Sequence, residues 1–189
     1  MSIPELTTDR LVLRGWRAGD RDVFAAMNAD PAVMEHFLGT LDRATSDAFL
    51  ERIDAHWATK GFGLWAVERR ADDAFLGFTG LSDPGFEAAF MPAVEIGWRF
   101  AADAWGHGYA TEAATPALSF GFETLRLEEI VSFTTPANTR SVAVMERIGM
   151  ARDPADDFDH PRVPVGHPLR RHVLYRLGRD QWERRRGPG

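Results

Sequence analysis

The sequence predicts a single α/β domain of the α+β kind, in which a mixed, strongly twisted sheet carries helices on its faces. Three observations lead there. Short runs of alternating apolar and polar residues recur from Leu11 to Leu177, runs of helical period separate the later ones, and no linker-like stretch divides residues 1–189. A hydrophobic fraction of 44% supplies a core, and no cysteine is present, which excludes disulfides, thiolate metal sites and cysteine nucleophiles.

Taken in order, Leu11, Leu13 and Trp16 interleave with Arg10, Val12 and Arg14 as a first strand. Asp20 is placed to cap a helix bearing Val23, Phe24 and Met27, interrupted between Asn28 and Pro31. Phe49, Ile53 and Trp57 recur at four-residue spacing and make Thr45 to Thr59 a second helix. Leu64 to Glu68 and Phe75 to Leu81 then form a hairpin around Asp72-Asp73. The run Val94 to Phe100 is a further strand, with Val94, Ile96, Trp98 and Phe100 on one face and Glu95, Gly97 and Arg99 on the other.

The period becomes helical from Ala110 to Phe122, where Pro116 removes one backbone bond and is expected to kink the element. It returns to strand from Glu129 to Thr134. Asn138 to Ile148 is a short helix that Gly149 ends. The Asp- and Pro-rich stretch Asp153 to Pro168 reads as a loop, His172 to Leu177 as the last strand, and residues 179–189 as a flexible tail. Early strands joined by hairpins are antiparallel, and later ones are joined by crossovers.

A net charge of −6 argues against a surface built to grip nucleic acid. No basic-then-apolar leader and no apolar run of membrane-crossing length is present, so a soluble cytoplasmic protein is expected. His36, His56, His160, His167 and His172 have no ligand spacing, and no metal is expected.

The stretch Trp105-Gly106-His107-Gly108-Tyr109-Ala110-Thr111-Glu112-Ala113 follows a strand and opens a helix. Glycines there let a phosphate approach unpaired backbone N–H groups. The segment lacks the Lys-Ser or Lys-Thr of a nucleoside-triphosphate loop, and its place past mid-chain does not suit a dinucleotide fold.

That stretch, with Leu6 to Arg14, Glu95-Ile96-Gly97-Trp98, Asn138-Thr139-Arg140-Ser141, Glu146 to Met150 and His172 to Leu177 in this order, resembles the GCN5-related N-acetyltransferases. Within them it is similar to the branch typified by enzymes that acetylate the amino termini of ribosomal proteins. The resemblance implies one domain spanning residues 1–189, with acetyl-coenzyme A as cosubstrate. Backbone amides from Trp105 through Gly106, His107, Gly108, Tyr109 and Ala110, with Thr111, would hold the diphosphate. The strand Ile96, Gly97 and Trp98 would splay from Glu129 to Phe133 to admit the pantetheine arm, and Asn138 and Ser141 would contact the coenzyme. Relatives begin the diphosphate loop with Arg or Gln, and here Trp105 stands instead.

The implied reaction is attack of a neutral amine on the thioester, which calls for a proton acceptor, donors to the oxygen and a donor toward sulfur. Glu95 is the leading acceptor, directly or through water; the competing reading is a strand carboxylate paired with Arg99. Ser141 either donates near sulfur or is a first-turn serine bonded to backbone. Many relatives carry a tyrosine acid where this chain has Met145, so Tyr109, Ser141, Tyr175 or a water would fill that role. Glu112 reads as structural. The acceptor is a primary amine, either a protein N-terminus or a small molecule such as an amino acid, polyamine or antibiotic. A coenzyme-binding module with little transfer is the alternative. Phe37, Phe90 and Phe158 would wall the acceptor cleft, and Asp156, Asp157 and Asp159 would attract a cation. Relatives often pair through late strands, which makes a homodimer an expectation from resemblance alone.

Overall fold

A computed structural model describes residues 3–186. The elements run β1 (Leu6–Thr7), β2 (Leu11–Arg14), α1 (Asp20–Ala29), α2 (Arg43–Lys60), β3 (Leu64–Arg69), β4 (Ala74–Ser82) and β5 (Glu95–Phe100). They continue α3 (Tyr109–Ser119), β6 (Glu129–Thr134), α4 (Thr139–Arg147), β7 (Ala151–Arg152), β8 (Phe158–Asp159), β9 (Arg171–Gly178) and α5 (Arg179–Arg186). Strand order in the mixed sheet is β1-β2-β3-β4-β5-β6-β9-β7, with β8 also paired to β9. All neighbours are antiparallel except β5 and β6.

The core lies between the sheet and its helices. Phe24 of α1, Trp65 of β3, Leu81 of β4, Ile96 of β5, Leu118 of α3 and Ile130 of β6 are fully buried. Alternation along β2 and β5 puts Leu11, Leu13, Ile96 and Phe100 into it.

Local chemistry sets where the helices begin. The Asp42 carboxylate accepts the Thr45 N–H at 2.8 Å and caps α2, which ends at Gly61 in the left-handed region. Asp20 does not cap α1 as the sequence suggests; it is the helix's first residue, and its carboxylate is taken by Arg14. The Arg14 guanidinium donates to Asp20 at 2.7 and 2.9 Å and to Glu68 at 2.7 Å, all three groups being buried. This triad ties α1 to β2 and β3.

Three further departures from the sequence reading have plain causes. The Asp- and Pro-rich segment Asp153 to Pro168 is not all loop, because β8 within it finds the free edge of β9. Pro116 lies inside α3, and the backbone widens just after it into a π-helical turn, Phe120–Thr124. Residues 179–186 form α5 where a loose tail is expected: Trp182 is buried and stacks on Phe122, with ring centroids 5.6 Å apart. The rest of the expected tail, residues 187–189, lies outside the described residues. No helix among the described residues is long and apolar enough to cross a membrane.

Candidate active site

Strands β5 and β6 meet in parallel at one register pair, Glu95 with Val131, next to a bond from the Val131 N–H to the Val94 carbonyl at 2.9 Å. Beyond it they part. β5 continues to Phe100 paired with β4, and β6 continues to Thr134 paired with β9. The two facing edges therefore have no ladder between them, and a ligand in extended form can bond to both. The opening leads into a cavity of about 1480 Å³.

At one end of the cavity the chain leaves β5, turns through Ala102–Ala104 and enters α3. Gly106 and Gly108 have φ of 79° and 81°, which other residues adopt only with strain. A Cβ at Gly106 would meet nothing within 4 Å, so this backbone stands open. Among the described residues, none of the N–H groups from Gly106 to Thr111 donates a main-chain hydrogen bond; that of Glu112 is the first to do so, to Gly108 at 3.0 Å. They form an anion cradle at a helix N-terminus. Trp105 is placed differently from the sequence reading. Its amide is used by the Ala102 carbonyl at 3.3 Å, and its indole donates to the Phe100 carbonyl and lies under the Arg140 guanidinium at 4.1 Å. Arg140 is thus a cation beside the cradle that sequence reasoning did not single out.

The other cradle side chains point aside. His107 does not line the cavity; its ring stacks on Tyr109, which lies beneath Arg10 at 4.7 Å. Glu112 accepts from Thr8 at 2.6 Å and from the Arg10 backbone and guanidinium at 3.0 and 2.7 Å, a structural role. Burial alone would raise its pKa, but these bonds outweigh burial and lower it.

At the apex of the opening, Glu95 is half-buried on the cavity wall and has no hydrogen bond or ion pair among the described residues. Its carboxyl leans over Gly97, with Oε1 3.9 Å from where a Cβ there would be. Loss of water around it pushes its pKa up to about 8. Arg99, on the same face, does not pair with it and donates instead to Asn28 at 2.6 Å. Ile96 is fully buried with its side chain in the core, so only its backbone can serve a ligand, while Gly97 and Trp98 line the cavity.

Asn138 caps α4 through the Ser141 N–H at 3.2 Å and donates to the Thr134 hydroxyl at 3.0 Å. Both ends of its amide are engaged. Ser141 lines the cavity with no hydrogen bond from its hydroxyl among the described residues, and buried Met145 lines it one turn further on. Tyr175 is not brought to the cavity wall. It is buried on β9, its hydroxyl donates to Glu146 at 3.3 Å, and burial with that carboxylate nearby raises its pKa.

The acceptor end also differs from the sequence reading. Asp156, Asp157 and Asp159 do not line the cavity; they pair with Arg176, with Arg152, and with Arg170 and Arg171 respectively. His160 and His172 come together with ring centroids 5.0 Å apart, because β8 pairs Phe158 with His172. They join Phe86, Phe133 and Phe158 in an aromatic cluster, of which Phe133 and the two histidines line the cavity; Phe37 lines it as the sequence suggests, but Phe90 and Phe158 do not, packing behind Phe133 instead. Burial, with His172 adjacent, pushes the His160 pKa down to about 4, so its ring is neutral at physiological pH. No group of three or more His, Asp or Glu among the described residues can hold a metal.

Residues 10–151 match the family model described as an acetyltransferase (GNAT) domain. The chain is 33% identical to the uncharacterised protein YkkB of Bacillus subtilis over 149 residues, 77% of this chain and 84% of that one. It is 28% identical to the uncharacterised N-acetyltransferase YnaD of the same organism, covering 94% and 98% of the two chains. Among solved structures, an acetyltransferase from Agrobacterium tumefaciens superposes with a TM-score of 0.75 at 30% identity, covering 94% of this chain and 95% of that one.

Proposed function

Because the chain belongs to the GNAT acetyltransferase family, we propose that it transfers the acetyl group of acetyl-coenzyme A directly to a primary amine, either the α-amine of a protein or a small-molecule amine. The residues suit the donor. The open amides from Gly106 to Thr111, with Arg140 beside them, match a diphosphate, and the unladdered edges of β5 and β6 match the amide-bearing arm.

The observation that carries the reading is the placement of Glu95, an unpartnered carboxylate at the apex of the opening, where the acetyl group would lie. The amine nitrogen attacks the thioester carbon, the C–N bond forms, and the C–S bond breaks. The nitrogen's proton passes to Glu95, directly or through one water, and the coenzyme leaves as a thiolate that takes a proton. A carboxyl with pKa about 8 is a far stronger base than an ordinary one, which suits it to an amine. The Ser141 hydroxyl, free and on the cavity wall, is the donor toward sulfur that Met145 cannot be.

The test is acetyl-dependent thiol release with a panel of peptides bearing free Ala, Ser, Thr or Met amino termini, amino acids, polyamines and aminoglycosides. Release with any of them, accompanied by an N-acetylated product, supports transfer. Tight coenzyme binding with no release across the panel would favour a binding module, the reading that Met145 suggests.

A further inference from the structure

Arg99, a cation on the cavity wall, has no ion-pair partner among the described residues. Arg99 leaves β5 on the Glu95 face and reaches toward α1 and α2. Its Nη1 donates to the Asn28 side-chain carbonyl at 2.6 Å, and its plane lies 4.3 Å from the Phe37 ring centroid, with Phe78 and Phe49 at 5.4 and 5.8 Å. Its Nε is shut off from water and has no partner. Among the described residues, no carboxylate lies within ion-pair distance of it.

A guanidinium held out of water without a counter-ion costs several kcal/mol. An amide oxygen and three ring faces offset part of that, but none carries a full negative charge. Two neighbours on the same wall repeat the pattern. Arg52 lies over Phe49 at 5.3 Å, and Arg162 lies over Phe86 at 5.9 Å while donating to the Gly85 carbonyl; neither has an ion-pair partner among the described residues. Of the carboxylates on this wall, Glu112 is taken by Thr8 and Arg10, which leaves Glu95 alone. Such a wall repels a polycation and attracts an anion.

We infer that the acceptor amine also bears a carboxylate, and that Arg99 receives it through charge-assisted hydrogen bonds from its terminal Nη2 group, which the Asn28 contact leaves open. This rests on the proposed amine acetylation and narrows its acceptor. Glu95 and Arg99 are four residues apart on a strand, so their Cα atoms are about 13 Å apart. The amine and the carboxylate are therefore separated by several bonds. Two sources fit: a small ω-amino acid or dipeptide, and an acidic residue near a peptide's amino terminus.

The experiment compares matched pairs: 4-aminobutyrate, 6-aminohexanoate and glycylglycine against their carboxamides, and peptides with Asp against Asn at the second position, with spermidine as the cationic control. The acids should exceed their amides by about tenfold or more in kcat/KM, mostly through KM. The ratio should fall toward one in Arg99→Gln and be partly kept in Arg99→Lys, which retains the charge without the fork. The pair with the larger ratio identifies the source. A ratio near one in the unaltered protein, or one unchanged in Arg99→Gln, overturns the inference while leaving acetyl transfer standing. If no amine is acetylated, the transfer reading fails on its own. Calorimetric titration of the same pairs into the coenzyme-loaded protein then decides this one: carboxylate-selective binding lost in Arg99→Gln sustains it, and equal or no binding removes it. Thermal unfolding and coenzyme affinity check that the variants fold; if Arg99→Gln does not, the reduced ratio in Arg99→Lys is the deciding measurement.

Discussion

Glu95 and Val131 are the register pair at which β5 and β6 meet before they part. The same pairing that ends the ladder also sets a carboxyl group at the mouth of the gap, so that one backbone feature both opens the proposed donor slot and positions the proposed proton acceptor. Glu95→Gln should lower transfer by about 100-fold or more at saturating acceptor, the scale of a positioned base, with coenzyme affinity unchanged within about twofold. In the unaltered protein the rate should rise with pH through about 8. Equal turnover of the two proteins across that range would remove Glu95 from the role.

The same carboxyl makes a stability prediction with a definite sign. Its pKa is about 8 in the folded protein, against 4.5 for an ordinary glutamate. Between those values the unfolded chain has lost a proton that the folded one retains, so stability is full below the lower value and falls as pH rises toward the upper one. The loss should be roughly 2–4 kcal/mol, allowing for the water that reaches the cavity. Denaturant unfolding of Glu95→Gln should show a flatter alkaline limb. Parallel pH profiles for the two proteins would contradict this.

Gly108, at φ 81°, is a test of the cradle. Valine there would strain the backbone by about 1–3 kcal/mol and put branched carbons beside the amides that face the diphosphate. Coenzyme affinity should drop by about tenfold or more, a larger change than at Ser141→Ala, as read by calorimetry. Unchanged affinity would place the diphosphate elsewhere.

Much of this arrangement was legible in the sequence because it is local. Alternation from Val94 to Phe100 sorted Glu95 and Arg99 from the core, Asn138 read as a cap, and the Gly106 to Thr111 stretch declared itself by glycine and position. What could not be read depends on long-range pairing. The His160 and His172 contact exists because a two-residue strand finds the β9 edge, and so short an element has no periodicity to detect. The partners of Asp156, Asp157 and Asp159 are arginines, and those of Asp157 and Asp159 are near in sequence, yet charge counting cannot tell a paired aspartate from one facing a ligand. Trp182 was hidden within a basic, tail-like composition, and its stacking on Phe122 helps make α5 part of the core.

The Arg14 triad should contribute strongly to holding α1 on β2 and β3. Arg14→Met removes the cation and leaves the buried Asp20 and Glu68 carboxylates facing each other, with only Arg17 near Glu68 at 2.9 Å. Breaking one partner of such a group costs about 3–5 kcal/mol. Chemical denaturation should show that loss, and replacing all three residues with apolar ones of similar volume should recover much of it. A change under about 1 kcal/mol in Arg14→Met would mean that the triad is solvated in the working protein.

His160 gives the opposite pH sign from Glu95. Burial beside His172 holds its pKa at about 4, against 6.5 for an ordinary histidine. As pH falls between those values the unfolded chain takes up a proton that the folded one refuses, so stability is present above the higher value and is lost progressively toward the lower one. The full shift would correspond to roughly 3 kcal/mol, and partial exposure of the ring reduces this to about 1–2 kcal/mol. In His160→Gln the acid limb of a stability profile should be shallower by that amount. Carboxylates such as Asp157, whose pKa the Arg152 pairing lowers, add to the acid limb of both proteins and cancel in the difference. Identical acid limbs would show that His160 titrates as a solvated ring and that the aromatic cluster is open to water.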